Sequence, residues 1–342
     1  MNRLQRGILA AGVMCLAGSA GESTAQTVFG PGAQKGLDPA FELTDKALQE
    51  STPTTATQRD RSDPDAILVM TTEALRSGGL DPGRQALALA DRGGAFLQKM
   101  QYEEAIADLN RALRINPGLS TAYNVRGAAY QFQGNYELAT EDYTRALMLD
   151  PQARYMVNRG IAYRQGGKYD LAIADFSQVI SRVPDNVNAY GGRAIAYLFQ
   201  DKFDASIADY TALIRLEPNN GDHYSNRCVV LARVGRFEDG LKDCQQALRF
   251  FPNDFEALES RGFVYLKSAQ YALAIADYET VIRTAPDSPD ALYGRGLARM
   301  QMGDIAGSTA DLEAARRLDP MVAVTFDRGG LGRVNLGTAG GP

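Results

Sequence analysis

The sequence predicts an all-α solenoid: seven helix–turn–helix repeats with flanking capping helices. Two observations carry this. Closing prolines fall at Pro117, Pro151, Pro184, Pro218, Pro252, Pro286 and Pro320, spaced by 34 residues except for one step of 33. Between them one pattern recurs: Arg followed by a small residue, a bulky residue further on, then a segment like Ala-Ile-Ala-Asp-Tyr. A period of this length means stacked copies of one supersecondary unit, each too small to bury its own apolar face.

The elements follow in chain order. Arg3 and Arg6 precede an apolar run from Gly7 to Ala20, then Gly-Glu-Ser-Thr-Ala-Gln. A basic start, a short apolar stretch and small residues mark residues 1–20 as a secretory signal, with Ala20 and Ala25 both fitting the cleavage requirement. The run is too short to span a bilayer as a helix, so the mature form is expected to have no stable membrane span. The expected address is periplasmic or secreted. Residues 21–62 read as a flexible low-complexity linker holding one short helix near 38–48. Asp63-Pro64 supplies an N-cap and a first-turn proline, and Gly78-Gly79 a stop, so 63–79 is expected to be a capping helix.

The repeats occupy residues 86–322 and start at 86, 120, 153, 187, 221, 255 and 289. Within repeat two, Tyr123, Gly127, Tyr130, Ala139, Tyr143 and Ala146 lie at helical spacing. Gly134-Asn135 divides the two halves, and Pro151 ends the second. Position 8 is Gly93, Gly127, Gly160, Ala194, Cys228, Gly262 and Gly296; position 20 is Ala105, Ala139, Ala172, Ser206, Gly240, Ala274 and Ser308. Small residues at both places let two helix backbones approach closely. Residues 323–342 read as a partial eighth first helix and a Gly-rich tail.

Small residues at 8 and 20, bulky ones at 11, 17 and 24, Ala near 27 and Pro at 32 together resemble the tetratricopeptide repeat. The resemblance implies a right-handed superhelix whose first helices line a concave, protein-binding face. Position 4, often Trp in that family, is Leu89, Tyr123, Met156, Tyr190, Tyr224, Leu258 and Leu292, and the chain contains no Trp.

Position 7 is arginine and position 23 aspartate in every repeat: Arg92/Asp108, Arg126/Asp142, Arg159/Asp175, Arg193/Asp209, Arg227/Asp243, Arg261/Asp277 and Arg295/Asp311. In an antiparallel helix pair these positions face one another. They read as internal, partly exposed ion pairs worth under about 1 kcal/mol each, because packing demands one contact in every repeat and a ligand does not.

Catalytic chemistry finds little support, and the sequence predicts a binding protein and not an enzyme. His223 is the single histidine, expected at the surface near a helix start; one histidine excludes multi-histidine metal sites and disfavours a Ser-His nucleophile. No phosphate-cradling loop appears, and no cofactor or metal is expected. Net charge is −5, and about −7 once Arg3 and Arg6 leave with the signal, so there is no basic stripe for nucleic acid. The resemblance instead implies a concave groove for a protein or peptide, with candidate residues Asn124, Phe132, Ile161, Arg164, Ile195, Phe199, Val229, Arg233, Phe263, Lys267 and Leu297. The function expected is an exported scaffold or adaptor, with cell-envelope assembly as its setting. The alternative is a small-molecule or glycan sensor, or a carboxylate-based hydrolase.

Cys228 and Cys244 remain after loss of Cys15. They occupy positions 8 and 24 of repeat five, which face across the helix pair. Two readings fit, a disulfide in an oxidising compartment and two buried thiols acting as apolar fillers. The disulfide is the expectation, since Gly240 makes room beside it.

Overall fold

The computed structural model describes residues 63–327, and every regular element among them is helical. The signal, the linker, its short helix and the tail beyond 327 lie outside the described residues. Two compact units divide the described residues, one ending at Pro184 and one beginning at Asp185.

The N-terminal unit comprises α1 (Pro64–Ser77), α2 (Pro82–Gln98), α3 (Tyr102–Ile115), α4 (Ser120–Phe132), α5 (Tyr136–Leu149), α6 (Ala153–Gln165) and α7 (Tyr169–Arg182). Asp63 caps α1 through its side chain, Pro64 opens it, and Gly78 leaves it at φ 69°. The first repeat helix begins earlier than residue 86. Asp81 accepts from the Arg84 backbone N–H at 2.9 Å and Pro82 takes the first turn, so α2 gains four residues upstream of the repeat boundary.

The C-terminal unit comprises α8 (Val187–Phe199), α9 (Phe203–Leu216), α10 (Gly221–Arg233), α11 (Phe237–Phe250), α12 (Phe255–Lys267), α13 (Tyr271–Thr284), α14 (Pro289–Gln301), α15 (Ile305–Leu318) and the short α16 (Val322–Asp327). Each first helix packs on its own second helix and, within a unit, on the second helix of the repeat before it. Successive first helices also touch one another, α2 on α4 and α10 on α12 on α14. An array tied more closely along one layer curves toward that layer, which puts the first helices on the inner side within each unit.

The close approach of the paired helices requires the small residues. A Cβ on Gly160 would stand 2.8 Å from the Phe176 ring, and one on Gly262 2.9 Å from the Tyr278 ring. Position 24 therefore stacks its ring directly on the position 8 backbone, and Tyr143, Phe176, Tyr210 and Tyr278 are fully buried. Both helices of each repeat meet in a tight turn whose position 15 is left-handed in all seven: Met100, Gly134, Gly167, Asp201, Gly235, Ala269 and Gly303. Four glycines take this conformation without cost, and three side-chain-bearing residues take it under strain.

Each arginine–aspartate pair forms inside its repeat. In repeat six, Arg261 Nε donates to Asp277 Oδ2 at 2.8 Å and Nη2 to Oδ1 at 2.7 Å; the same two-pronged geometry recurs in the other six. The pairs are more buried than the sequence suggests, because all seven aspartates are enclosed. The hydrogen bond to the carboxylate raises the arginine pKa further in Arg126, Arg159, Arg193, Arg227, Arg261 and Arg295. At Asp142 burial outweighs Arg126 and moves the carboxyl upward.

The third arm of the guanidinium adds a link that the repeat pattern does not announce. Arg126 Nη1 reaches Asn110 Oδ1 at 2.6 Å, Arg159 Nη1 reaches Thr144 Oγ1 at 3.1 Å, and Arg227 Nη1 reaches Thr211 Oγ1 at 2.9 Å. Asn110, Thr144 and Thr211 all occupy position 25 of the preceding repeat, so one arginine sets both the angle within a repeat and the register between repeats. Arg92 makes the same reach to Thr72 of α1, at 3.3 Å. The capping helix thus supplies what a preceding second helix would.

Cys228 and Cys244 are joined by a disulfide, with their Cα atoms 5.6 Å apart. It bridges α10 and α11 where other repeats place a leucine, tyrosine or phenylalanine over a small residue.

Candidate functional site

The candidate groove residues divide by unit and by depth. In the N-terminal unit, Asn124 is only 2% exposed, and its Oδ1 accepts from Asn158 Nδ2 at 2.8 Å. Phe132 is half-buried and stacks on Tyr102 with ring centroids 5.6 Å apart. Ile161 and Arg164 are buried. Beside them runs a polar chain: Tyr143 Oη donates to Gln131 Oε1 at 2.7 Å, and Gln131 Nε2 to Gln165 Oε1 at 2.7 Å. This chain ties α4 to α6, and Gln165 is a member that reading repeat two alone does not reveal.

In the C-terminal unit, Ile195, Phe199 and Leu297 are half-buried on first helices, and Lys267 is exposed. Arg233 lies over the Phe203 ring at 4.8 Å and 3.6 Å from Asp201. Val229 and Phe263 are buried at 0% and 2% exposure. Lys267 Nζ stands 5.3 Å from the Phe263 ring centroid, where the ring face attracts a cation.

The candidate groove residues at position 9 of the first helices are thus not equally accessible. Ala128, Ile161, Val229 and Phe263 are buried because successive first helices pack against each other at this position. Accessible apolar surface on the first helices comes from Leu266 and Met300 at position 12, Phe132 and Phe199 at position 13, and the half-buried Ile195 and Leu297 at 9. Met300, at position 12 of repeat seven, is 44% exposed.

His223 is also placed differently from the sequence expectation. It is buried, its Nε2 lies 2.8 Å from Glu217 Oε2, and burial lowers its pKa against the pull of that carboxylate. Position 3 of repeat five faces the loop that closes repeat four, so the ring is covered by the chain just before it. Nearby, the Asp222 carboxyl is pushed up to about 7, first by burial and then by Glu256, Asp254 and Glu217.

One contact was not anticipated from the repeat pattern. Phe326 of α16 is 3% exposed and meets Phe263 at 5.5 Å, Tyr293 at 5.3 Å and Tyr278 at 6.4 Å between ring centroids. The signal for it was position 4 of the incomplete eighth repeat, where a bulky apolar residue is expected. Among the described residues no group of three or more His, Cys, Asp or Glu side chains is arranged to hold a metal ion, and no helix is long and apolar enough to cross a membrane.

An inner layer of first helices, braced in each repeat by an arginine–aspartate pair, defines an all-helical repeat protein. Tetratricopeptide-repeat profiles match residues 93–134, 120–152, 155–186, 192–255 and 261–323, together more than half of the chain. The chain belongs to the tetratricopeptide-repeat family. Solved structures agree in fold. A tetratricopeptide repeat protein from Parabacteroides merdae is 18% identical, with 74% of this chain and 100% of that one covered, at TM-score 0.63. PilW, a widely conserved type IV pilus biogenesis factor, is 16% identical over 60% of this chain and 96% of its own, at TM-score 0.55. The hetero-tetramer Cut9–Hcn1 of the APC/C is 15% identical over 75% of this chain and 52% of its own, at TM-score 0.57. No curated protein matches the sequence.

Proposed function

We propose that this protein is an exported scaffold that holds a segment of a partner protein against the inner layer of its first helices. The observation that carries the reading is the composition of that layer. In the C-terminal unit, half-buried Phe199 and Leu297 stand on either side of the charged heads of Arg233 and Lys267 along the first helices. Apolar anchors spaced among polar groups suit an extended peptide or amphipathic helix, and a hydrolase would instead need facing carboxylates at a set separation. Export is supported by the basic and apolar N-terminus and by the Cys228–Cys244 bridge, a bond that persists in oxidising compartments. A cell-envelope setting is part of the same proposal, carried by the family resemblance.

The test has two arms. Fractionation of cells expressing the C-terminally tagged chain should place a shortened form outside the cytoplasm; a full-length cytoplasmic form would reject export. Selection from a displayed peptide library should enrich sequences whose binding falls at least tenfold in Phe199→Glu and Leu297→Glu variants that retain a helical spectrum. Peptides indifferent to both substitutions would reject the inner layer as the binding face.

A further inference from the structure

The last helix, α16, lies more on the first helix α14 than on the second helix α15, as α12 lies more on α10 than on α11. Its two buried side chains, Val322 and Phe326, are four residues apart and form one stripe. Val322 seats against Leu292 and Ala315 at the end of the array. Phe326 reaches a full repeat further back, to Phe263 of repeat six, and sits between that ring and Tyr293. Phe263 is position 9 and Tyr293 is position 5 of their repeats, both on first helices.

The floor of this cradle carries an unused polar group. Tyr278 is fully buried, yet its hydroxyl has no hydrogen-bond partner among the described residues. The equivalent Tyr143 donates to Gln131 at position 12, whereas position 12 of repeat six is Leu266, which offers no acceptor. A buried hydroxyl left unpaired is unfavourable because its lost hydration is not replaced, and a phenylalanine ring laid against it offers no acceptor atom.

We propose that the cradle of Phe263, Tyr278 and Tyr293 is an anchor site for an aromatic residue on a partner's short helix, and that the protein's own Phe326 fills it in the unbound state. The partner segment copies the spacing of Val322 and Phe326, an aliphatic residue four before the aromatic one. It adds a backbone or side-chain acceptor for the Tyr278 hydroxyl, which gives it an advantage that Phe326 lacks. Lys267, over the outer face of Phe263, and the half-buried Glu259 set the polar edge. The intramolecular helix competes at high effective concentration, so a partner binds in proportion to the fraction of cradles that are open. The proposal deepens the scaffold reading and rests on it.

The experiment uses the mature chain and a fluorescein-labelled peptide of sequence DPMVAVTFDRGG, residues 319–330, with a second peptide carrying Ala in place of the phenylalanine. Fluorescence anisotropy should show at least tenfold tighter binding of the first peptide to Phe326→Ala than to the unsubstituted chain, and no binding of the second to either. Equal affinity for both proteins, or no binding to either, overturns the proposal. Because the chain has no tryptophan, Phe326→Trp supplies an independent readout in a folded protein. Its emission should be that of a shielded indole in the free protein and move to longer wavelength as unlabelled peptide is added. Emission of a solvent-exposed indole from the start overturns self-occupancy. Library peptides that need Phe199 and Leu297 but bind equally with and without Phe326 leave the scaffold reading standing and remove this one.

Discussion

Splitting the Arg261–Asp277 pair is expected to destabilise the C-terminal unit by more than a surface ion pair would. Asp277 is 6% exposed, while the Arg261 side chain retains 25% exposure and stands 5.8 Å from the Tyr265 ring centroid. Removing one partner of a fully buried pair costs about 3–5 kcal/mol, because a charge is left in a medium that cannot solvate it. Here solvent reaches the arginine end, so Arg261→Ala is expected to cost about 2–3 kcal/mol and Asp277→Ala, which leaves the more hydrated partner, about 1–2 kcal/mol. The double variant should cost less than the sum, with a coupling of about 1–2 kcal/mol. The reversed pair Arg261→Asp/Asp277→Arg should recover part of the loss. The assay is urea unfolding followed by circular dichroism. A repeat array need not unfold in one step, so the four proteins are compared only if their transitions share one slope. Amide exchange in α12 and α13 supplies the local free energy if they do not. Coupling indistinguishable from zero would refute the pairing as a structural device, and unchanged stability in Arg261→Ala would refute the burial argument itself.

Three further outcomes follow from particular residues. Ala269 holds φ at 59° where four repeats use glycine, so Ala269→Gly should raise stability by about 1 kcal/mol in the same unfolding assay, and Gly303→Ala should lower it by a similar amount. Thiol titration of the protein, purified without reductant and unfolded, should find no free thiol at Cys228 or Cys244. Reduction should cost on the order of 3 kcal/mol for a loop of this length, and two free thiols per chain would remove the cross-link. The Asp222 carboxyl, raised to about 7, binds its proton more tightly folded than unfolded. Its contribution is thus complete below the unfolded pKa and is lost as pH rises through about 7. The melting temperature should fall between pH 6.5 and 8.5, and Asp222→Asn should flatten that slope. His223, whose pKa is lowered by burial, acts in the opposite sense at lower pH, which is why the window starts at 6.5.

The sequence by itself determined the repeat, its helix pairs and its internal ion pairs. These depend on residues at most one helix hairpin apart. Arg and Asp sixteen residues apart can face each other only one way once Gly or Ala at positions 8 and 20 brings the helices together, so the local pattern is sufficient. Asp63-Pro64 and Gly78 marked the capping helix for the same reason. Three things waited for the tertiary structure. The burial of position 9 depends on how closely one first helix lies on the next, an angle summed over neighbouring repeats that no single repeat encodes. His223 looked exposed because the loop covering it belongs to the repeat before. Phe326 read as the start of another copy, and its seat against Phe263 depends on the apolar surface that α12 and α14 leave uncovered, which no single repeat encodes. Contacts within a repeat are written in its pattern; contacts made where the pattern stops are decided by what apolar surface is left to cover.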